Sequence, residues 1–531
     1  TIYGVAILDY LDLYRKFMPG DRASYKLDYI AQFELGKKKI DFEGPMHLFY
    51  KENYPEFVEY NIYDVTLVVE LEYSMRLIEL AIHMAYMAKV NFEQIFSPVR
   101  LIESLCYNYL ISRGVVFPPR VKGQSSGDRG ITGAHVKHPA VGTHDWVVSF
   151  DLNSLYPSII IQQNMSPETV IDNLDKFVTV DELVNKEVDL SKLKEHDITM
   201  CANGHFFDVS KRGFFPEIVD KIYSERKANK KKMIETKIKL QGEDLTKAER
   251  KKLEVDKNVY HIKQYSQKIL LNSIYGATAN EYFTFYDTRI AEGITRHGQL
   301  VIQWAERHIN QYLNKLLKTD NVDYVIGIDT DSLYITLDAL VKQVIPDETD
   351  KNKIVNFLDN VCQKKLEPLL DKCYDQLKEY TNAYEQRMVM KREVIASRGI
   401  WTGKKHYALS VYDDEGVRLV KPKIKDVGLE SSTPEFIRSK LLEGYKILLE
   451  GNEQQLLEFV QTTRGEYENL PLSDIAFNKG VTYINKYKDN DSLYGKGCPG
   501  HVKAAIIYNH NLEKHKLTGI YPTINEGDKI K

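Results

Sequence analysis

Apolar positions along this chain recur with two periods. In residues 323–337, read DYVIGIDTDSLYITL, Leu333, Ile335 and Leu337 alternate with Ser332, Tyr334 and Thr336, the period of a half-buried strand. A β-branched and aromatic run precedes them, so the stretch predicts a tight hairpin with Asp329 and Asp331 at its tip, flanking Thr330. Residues 147–150 read as a buried strand with Asp151 at its end. A turn carrying Leu155 and Tyr156 follows, its backbone amides facing outward to cradle a phosphate. Pro157 then opens a helix, where its missing N–H costs nothing. Helical periodicity governs residues 73–109, 214–240, a segment ending at Asn280, and 287–312. Residues 241–245 read as a turn, and Thr246 with Glu249 has capping-box spacing. Residues 216–280 are therefore predicted to form an antiparallel helical hairpin. The first residues (IYGVAIL) are strand-like, and from Thr433 the pattern becomes helical and then irregular. Residues 122–133, rich in Gly and Ser, read as a linker or domain boundary.

Composition narrows the class. With 531 residues, 43% hydrophobic and 28% charged, this is an ordinary globular composition, long enough for about three or four domains. A net charge of −3 gives no global nucleic-acid signature, so any such surface is local. Five cysteines are scattered without a CxxC pair. That argues against a zinc site or a disulfide framework and fits a reducing compartment. No apolar run approaches the roughly 18 residues of a membrane span. The chain starts on Thr1 and stops on a charged tail, and both ends are expected to be cuts through a longer protein.

Candidate chemistry sits in a few places. Two carboxylates as close as Asp329 and Asp331 repel unless a cation lies between them, and oxygen ligands suit magnesium. A bare Asp-x-Asp is also an ordinary polar turn, so the rest of the chain must supply the difference. Residues 226–239 hold seven Lys or Arg against one Glu. Arg226 and Lys230 share a helical face, and Lys268, Asn272 and Tyr275 form a second stripe. Two such stripes facing one site suit a triphosphate. Residues 403–409, GKKHYAL, set Lys404, Lys405 and His406 beside Tyr407, a pattern suited to a phosphate backbone; His406 reads as a surface residue. Tyr60 and Asp64 lie four apart on a predicted helix, able to hold a metal and its water, or simply a surface pair.

Together these stretches resemble family B DNA polymerases, most closely those of T-even-like bacteriophages. DLNSLYPSII is similar to the first palm motif, KILLNSIYGATAN to the fingers-helix motif, DTDS to the palm hairpin motif and GKKHYAL to the KKxY motif. The resemblance implies an α/β (α+β) right-hand fold with palm, helical-hairpin fingers and thumb, preceded by the end of an RNase H-like exonuclease domain. The implied segments are 1–76 (end of the 3′–5′ exonuclease), 77–121 (N-terminal-domain helices), 122–212 and 281–435 (palm), 213–280 (fingers) and 436–531 (partial thumb). It implies template-directed DNA synthesis from dNTPs with two Mg2+ ions, Mn2+ being able to substitute. Asp151, the Leu152 carbonyl and Asp331 would ligate metal, with Asp329 and Glu393 in support. Arg226, Lys230, Lys268 and Asn272 would hold the triphosphate beside Ser154 and Leu155. Tyr156 would exclude a ribose 2′-hydroxyl. Tyr275 and Gly276 would meet the new base pair, and Lys404, Lys405 and Tyr407 the primer duplex. Tyr60 and Asp64 match the last exonuclease motif, whose two earlier partners have no counterpart in these residues. The implied partners are primer–template DNA, a sliding clamp and replisome proteins, in the cytoplasm of an infected bacterial host and with no membrane. The alternative is a primer–template-binding part of a polymerase that needs a further polypeptide to work. A reverse transcriptase suits the fingers stripe less well. Two departures stand out: Ile328 occupies a place the family usually gives to Gly, and Ile131 a place it gives to Tyr.

Overall fold

The computed structural model describes residues 4–18, 20, 22, 24–42, 46–119, 130–174, 177–240, 245–425, 433–489 and 492–530. Most of the turn expected at 241–245 and most of the linker expected at 122–133 lie outside the described residues. The chain divides into two compact units, Thr1–Ile7 with Glu79–Gly428, and Leu8–Ile78 with Leu429–Lys531.

The first unit is built on a six-stranded antiparallel sheet. Its strands are β1 (Gly142–Leu152), β5 (Val325–Asp329), β6 (Ser332–Thr336), β7 (Met390–Gly403), β8 (His406–Asp414) and β9 (Val417–Lys425), in the order β5-β6-β1-β7-β8-β9. A small sheet, order β2-β4-β3, joins β2 (Val170–Asn173), β3 (Ile198–Met200) and β4 (His205–Asp208). β1 is central because both of its faces are covered. Val147, Val148, Ser149 and Phe150 are all buried, and the Ser149 hydroxyl accepts the Val394 amide at 3.1 Å, so burial strands no polar group. Each fully buried apolar side chain of this kind contributes about 1.5–3 kcal/mol.

Six helices position the site: α1 (Pro98–Ser112), α2 (Leu155–Gln162), α3 (Phe214–Lys239), α4 (Lys247–Thr278), α5 (Thr288–Leu317) and α6 (Glu367–Thr381). α3 and α4 form the predicted hairpin. The expected capping box at Thr246 and Glu249 is present. Asn229 donates to the Gln267 side chain at 3.1 Å. That bond fixes the pairing level of the two helices and leaves Lys230 and Lys268 within about one helical turn of each other along the hairpin. α5 is the buried spine, packed against α2 and α6.

The second unit is mainly helical. Helix Tyr54–Met75 turns Tyr60, Leu67 and Leu71 inward, while Val58, Ile62, Val65, Val69 and Tyr73 are exposed along the opposite side. A separate core joins Val481, Ile484, Val502, Ala505 and Ile506. The strand-like opening residues are a difference from expectation: residues 4–9 form no strand, and no described strand pairs with them. A strand's backbone groups need such a partner. Among the described residues no helix is long and apolar enough to cross a membrane.

Candidate active site

The hairpin that carries Asp329 and Asp331 closes through a two-residue turn, Thr330 and Asp331, between the paired Asp329 and Ser332. The Asp331 amide donates to the Asp329 carbonyl at 2.7 Å, and Thr330 between them has φ +60°. That is the bond and the central backbone angle of a γ-turn, a strained conformation, on a β-branched residue that disfavours it. The turn is held from outside, since the Thr330 amide donates to the His135 carbonyl at 3.1 Å. Such strain persists where surrounding contacts over-determine it, and it concentrates at functional sites. Ile328, the departure noted in the sequence, is regular: it pairs with Leu333 and is buried. The glycine requirement has moved one residue back. A Cβ on Gly327 would stand 3.3 Å from Trp401 Nε1.

Antiparallel pairing of β1 with β6 brings the distant aspartates together. Asp151 is opposite Ser332, the Ser332 hydroxyl donates to Asp151 Oδ1 at 2.9 Å, and the Leu152 amide donates to the Asp331 carbonyl at 2.9 Å. On the other side of β1, Ser149 pairs with Val394 and Phe150 with Arg392, so Glu393 is the extra residue of a β-bulge. Bulges beside active sites re-aim a side chain. Glu393 acts electrostatically on both Asp151 and Asp331. A fifth acid, Glu415, also acts on Asp151, and its amide donates to the Glu393 carbonyl at 2.7 Å. Glu415 was not legible in the sequence; it lies in the β8–β9 turn, and only sheet pairing brings it here. Buried Asp413 braces that turn by accepting the Gly416 amide at 3.0 Å and by pairing with Arg392 and Arg418.

Burial, then the Asp331 charge, push the Asp151 carboxyl up from 3.8 to about 7. Burial also raises Asp331, with Asp329 and Glu393 adding to it. Two half-buried carboxylates are thus driven toward their protonated forms. Lys405 Nζ lies 3.0 Å from Asp329 Oδ1 and opposes the shift at Asp331 without cancelling it. Among the described residues no three His, Cys, Asp or Glu side chains converge in metal-holding geometry; the oxygen-only pair of Asp151 and Asp331 is the donor set that fits a hard divalent ion.

This gives a stability prediction. Between about pH 4 and 7 the folded chain keeps the Asp151 proton and the unfolded chain has lost it, so without divalent ions stability falls as pH rises through that window. Asp151→Asn is expected to remove this slope and to melt at a higher temperature than the parent above pH 7. Thermal melts in chelator from pH 4 to 8 check it, and parallel curves for the two proteins would refute it.

Above the aspartates lies a cavity of about 280 Å3, lined by Ser154, Leu155, Tyr156, Pro157, Leu271, Asn272, Tyr275, Thr330 and Asp331. The Tyr156 and Tyr275 rings are 4.8 Å apart, and burial, with Tyr275 and Asp331 adding, pushes the Tyr156 hydroxyl up to about 12. Arg226 reaches across from α3 to donate to Ser154 Oγ at 3.0 Å, while Lys230, Lys268, Asn272 and Gly276 are exposed. The outward-facing amide turn expected after Asp151 is corrected in part. The Leu152 and Asn153 amides donate to the carbonyls of Asp331 and Val389, because they extend the sheet at its end. Lys404 and Lys405 form the β7–β8 turn. Beyond it the Tyr407 hydroxyl bonds that of Tyr334 at 2.6 Å and its ring stacks on Trp401.

Tyr60 and Asp64 do share a helical face, in the other unit. Tyr60 is buried against Phe42 and Phe49, and Asp64 pairs with Lys39 at 2.6 Å. They are therefore not the plain surface pair that is the simpler reading of their spacing.

Residues 98–413 match the family model described as DNA polymerase family B. The chain belongs to that family. It is similar to the DNA-directed DNA polymerases of Escherichia phage RB69 and Enterobacteria phage T4, 33% and 32% identical over 579 aligned positions. All of this family B chain is covered in both alignments, and it spans 63% of the length of each relative. DNA polymerase 1 of Pyrococcus abyssi is 30% identical over 62% of the chain and 34% of its own length.

Proposed function

We propose that the chain carries out template-directed DNA synthesis, transferring a deoxynucleotide from a dNTP to a primer 3′-hydroxyl. The observation that carries this is the meeting of Asp151 and Asp331, 180 residues apart in sequence, at the foot of a cavity walled by Tyr156, Asn272 and Tyr275. Asp151, the Leu152 carbonyl and Asp331 would hold the divalent ions, Mg2+ with Mn2+ as substitute. When bound, such ions lower the pKa of the attacking hydroxyl and neutralise the triphosphate. The chain's own residues do the positioning. Arg226, with Lys230 and Lys268 within about one turn of each other on the helical hairpin, supplies fixed cations for the triphosphate. Tyr156 lies under the sugar and Tyr275 beside the base. Lys404, Lys405 and Tyr407 face primer duplex. In phosphoryl transfer, positioning and charge stabilisation supply most of the rate, which suits a site of acids and fixed cations.

In this reading the six-stranded sheet is the palm (122–212 and 281–435), α3 and α4 are the fingers (213–280) and 436–531 is part of the thumb. Residues 77–121 belong to an N-terminal domain, and 1–76 with Tyr60 and Asp64 to the end of an exonuclease domain. Primer–template DNA, a sliding clamp and replisome proteins of an infected bacterial cell are the corresponding partners. The test is primer extension with dNTPs and Mg2+. Elongation that follows the template is expected; none with either Mg2+ or Mn2+ would count against the reading.

A second reading is that the chain binds primer–template but needs a further polypeptide for synthesis. The exposed stripe from Val58 to Tyr73 favours it, since a helix apolar on both faces is ordinarily covered on both. Extension by this chain alone rules it out; duplex binding without extension supports it.

Lys268→Ala is expected to raise KM for dNTPs by about tenfold, a loss near 1.4 kcal/mol, with little change in duplex binding. Steady-state kinetics and a gel-shift titration check this.

A further inference from the structure

Tyr156 rests on a glycine. A Cβ built on Gly298 of α5 would stand 3.2 Å from Tyr156 Cε1, 3.5 Å from Leu155 Cδ2 and 3.6 Å from Ile159 Cδ1. Only the first is tighter than ordinary van der Waals contact, so an added methyl group presses mainly on the tyrosine ring.

Where the strain would go is decided by the surroundings. α5 cannot retreat easily. Its next residue toward the N-terminus, His297, is fully buried and bonded through Nε2 to Gln163 Nε2 at 3.0 Å. Gln163 in turn bonds Thr381 at 3.4 Å and accepts from Thr199. This buried polar network ties α5 to α6 and to the small sheet, and breaking it would strand buried polar atoms. Ile159 is fully buried and Leu155 nearly so, and close packing around buried side chains resists their displacement. Leu155 and Tyr156 both border the cavity, but of the three contacts only Tyr156 is not buried. The ring therefore yields toward Tyr275 and into the cavity.

We propose that Gly298 is a positioning residue for sugar specificity: by carrying no side chain it sets the depth of the Tyr156 ring and hence the room left for a nucleotide's sugar. This rests on the polymerase reading above and adds to it a residue that touches no substrate. The site takes a 2′-deoxynucleoside triphosphate. A shallower floor should penalise the deoxyribose itself and penalise a ribose further.

The experiment compares the parent chain with Gly298→Ala, Tyr156→Ala and the double variant, using dTTP and UTP opposite template adenine. In the parent background Gly298→Ala is expected to raise KM for dTTP about fivefold, with kcat within about twofold, the signature of lost uniform binding. Relative use of UTP should fall further. In the Tyr156→Ala background the same change is expected to leave KM unaltered. An unchanged KM in the parent background, or an equal rise in both, would overturn the proposal. If Gly298→Ala does not fold, the double variant decides. Recovery of a cooperative melt supports pressure on Tyr156, and no recovery overturns it by placing the clash on Leu155 and Ile159. A parent chain that extends no primer counts against the polymerase reading instead. A crystal structure of Gly298→Ala then still tests the displaced ring, and an unmoved ring overturns the proposal.

Discussion

Asp331→Asn is expected to lower primer extension by at least about a thousandfold, the upper end of what removing one electrostatic stabiliser costs, while primer–template affinity stays within about twofold. The loss should be chemical and not structural. Both backbone bonds that shape the turn at Asp331, from its own amide to Asp329 and from the Leu152 amide to its carbonyl, are independent of the side chain. Asparagine matches aspartate in shape, so these bonds survive. What disappears is a charge held where burial already disfavours it. Removing it relieves the repulsion felt by Asp151, and the variant should melt no lower than the parent in chelator. Extension rates with Mg2+, duplex titration and thermal melts check the three parts. A variant retaining most of its extension rate would remove Asp331 from the metal-holding pair.

Tyr156→Ala is expected to erode discrimination between deoxyribo- and ribonucleotides by about a hundredfold, the scale on which an apolar contact distinguishes neighbouring substrates. The ring forms one wall of the cavity and lies 4.8 Å from Tyr275. In the polymerase reading, its loss opens volume where a ribose 2′-hydroxyl would otherwise meet the ring. The chain fold should tolerate the change, because Leu155, Pro157 and Ile159 beside it are buried in their own right. Competing dTTP and UTP in single-nucleotide extension measures the ratio. An unaltered ratio would assign sugar selection elsewhere, and Gly298 would lose its role with it.

Much of this was legible in the chain itself. Alternation around Leu333 and Ile335 predicted the hairpin now seen as β5 and β6. The one-sided Arg and Lys spacing, with Thr246 as cap, predicted the helical hairpin of α3 and α4. Asp151 stood out because a strand, a tight turn and a helix-opening proline follow one another there. These are local signals, set by side-chain period and by backbone groups that need caps within a few residues.

Glu415, Gly298, Ser332 and His135 had no such signal. Each matters through a neighbour far away in sequence: Glu415 through the Glu393 carbonyl, Gly298 through the Tyr156 ring, Ser332 through Asp151 Oδ1, His135 through the Thr330 amide. The Ile328 departure also changed meaning, because the close approach to Trp401 falls on Gly327 and not on the residue beside Asp329. The amino-acid order alone determined which residues carry acids, cations and rings, and on what kind of element, because hydrophobic period and capping act over a few residues. Tertiary structure decided which acids share a site, how far Asp151 is pushed toward its protonated form, and what lies beneath Tyr156. Pairing register, burial and close packing arise only when distant segments are brought together.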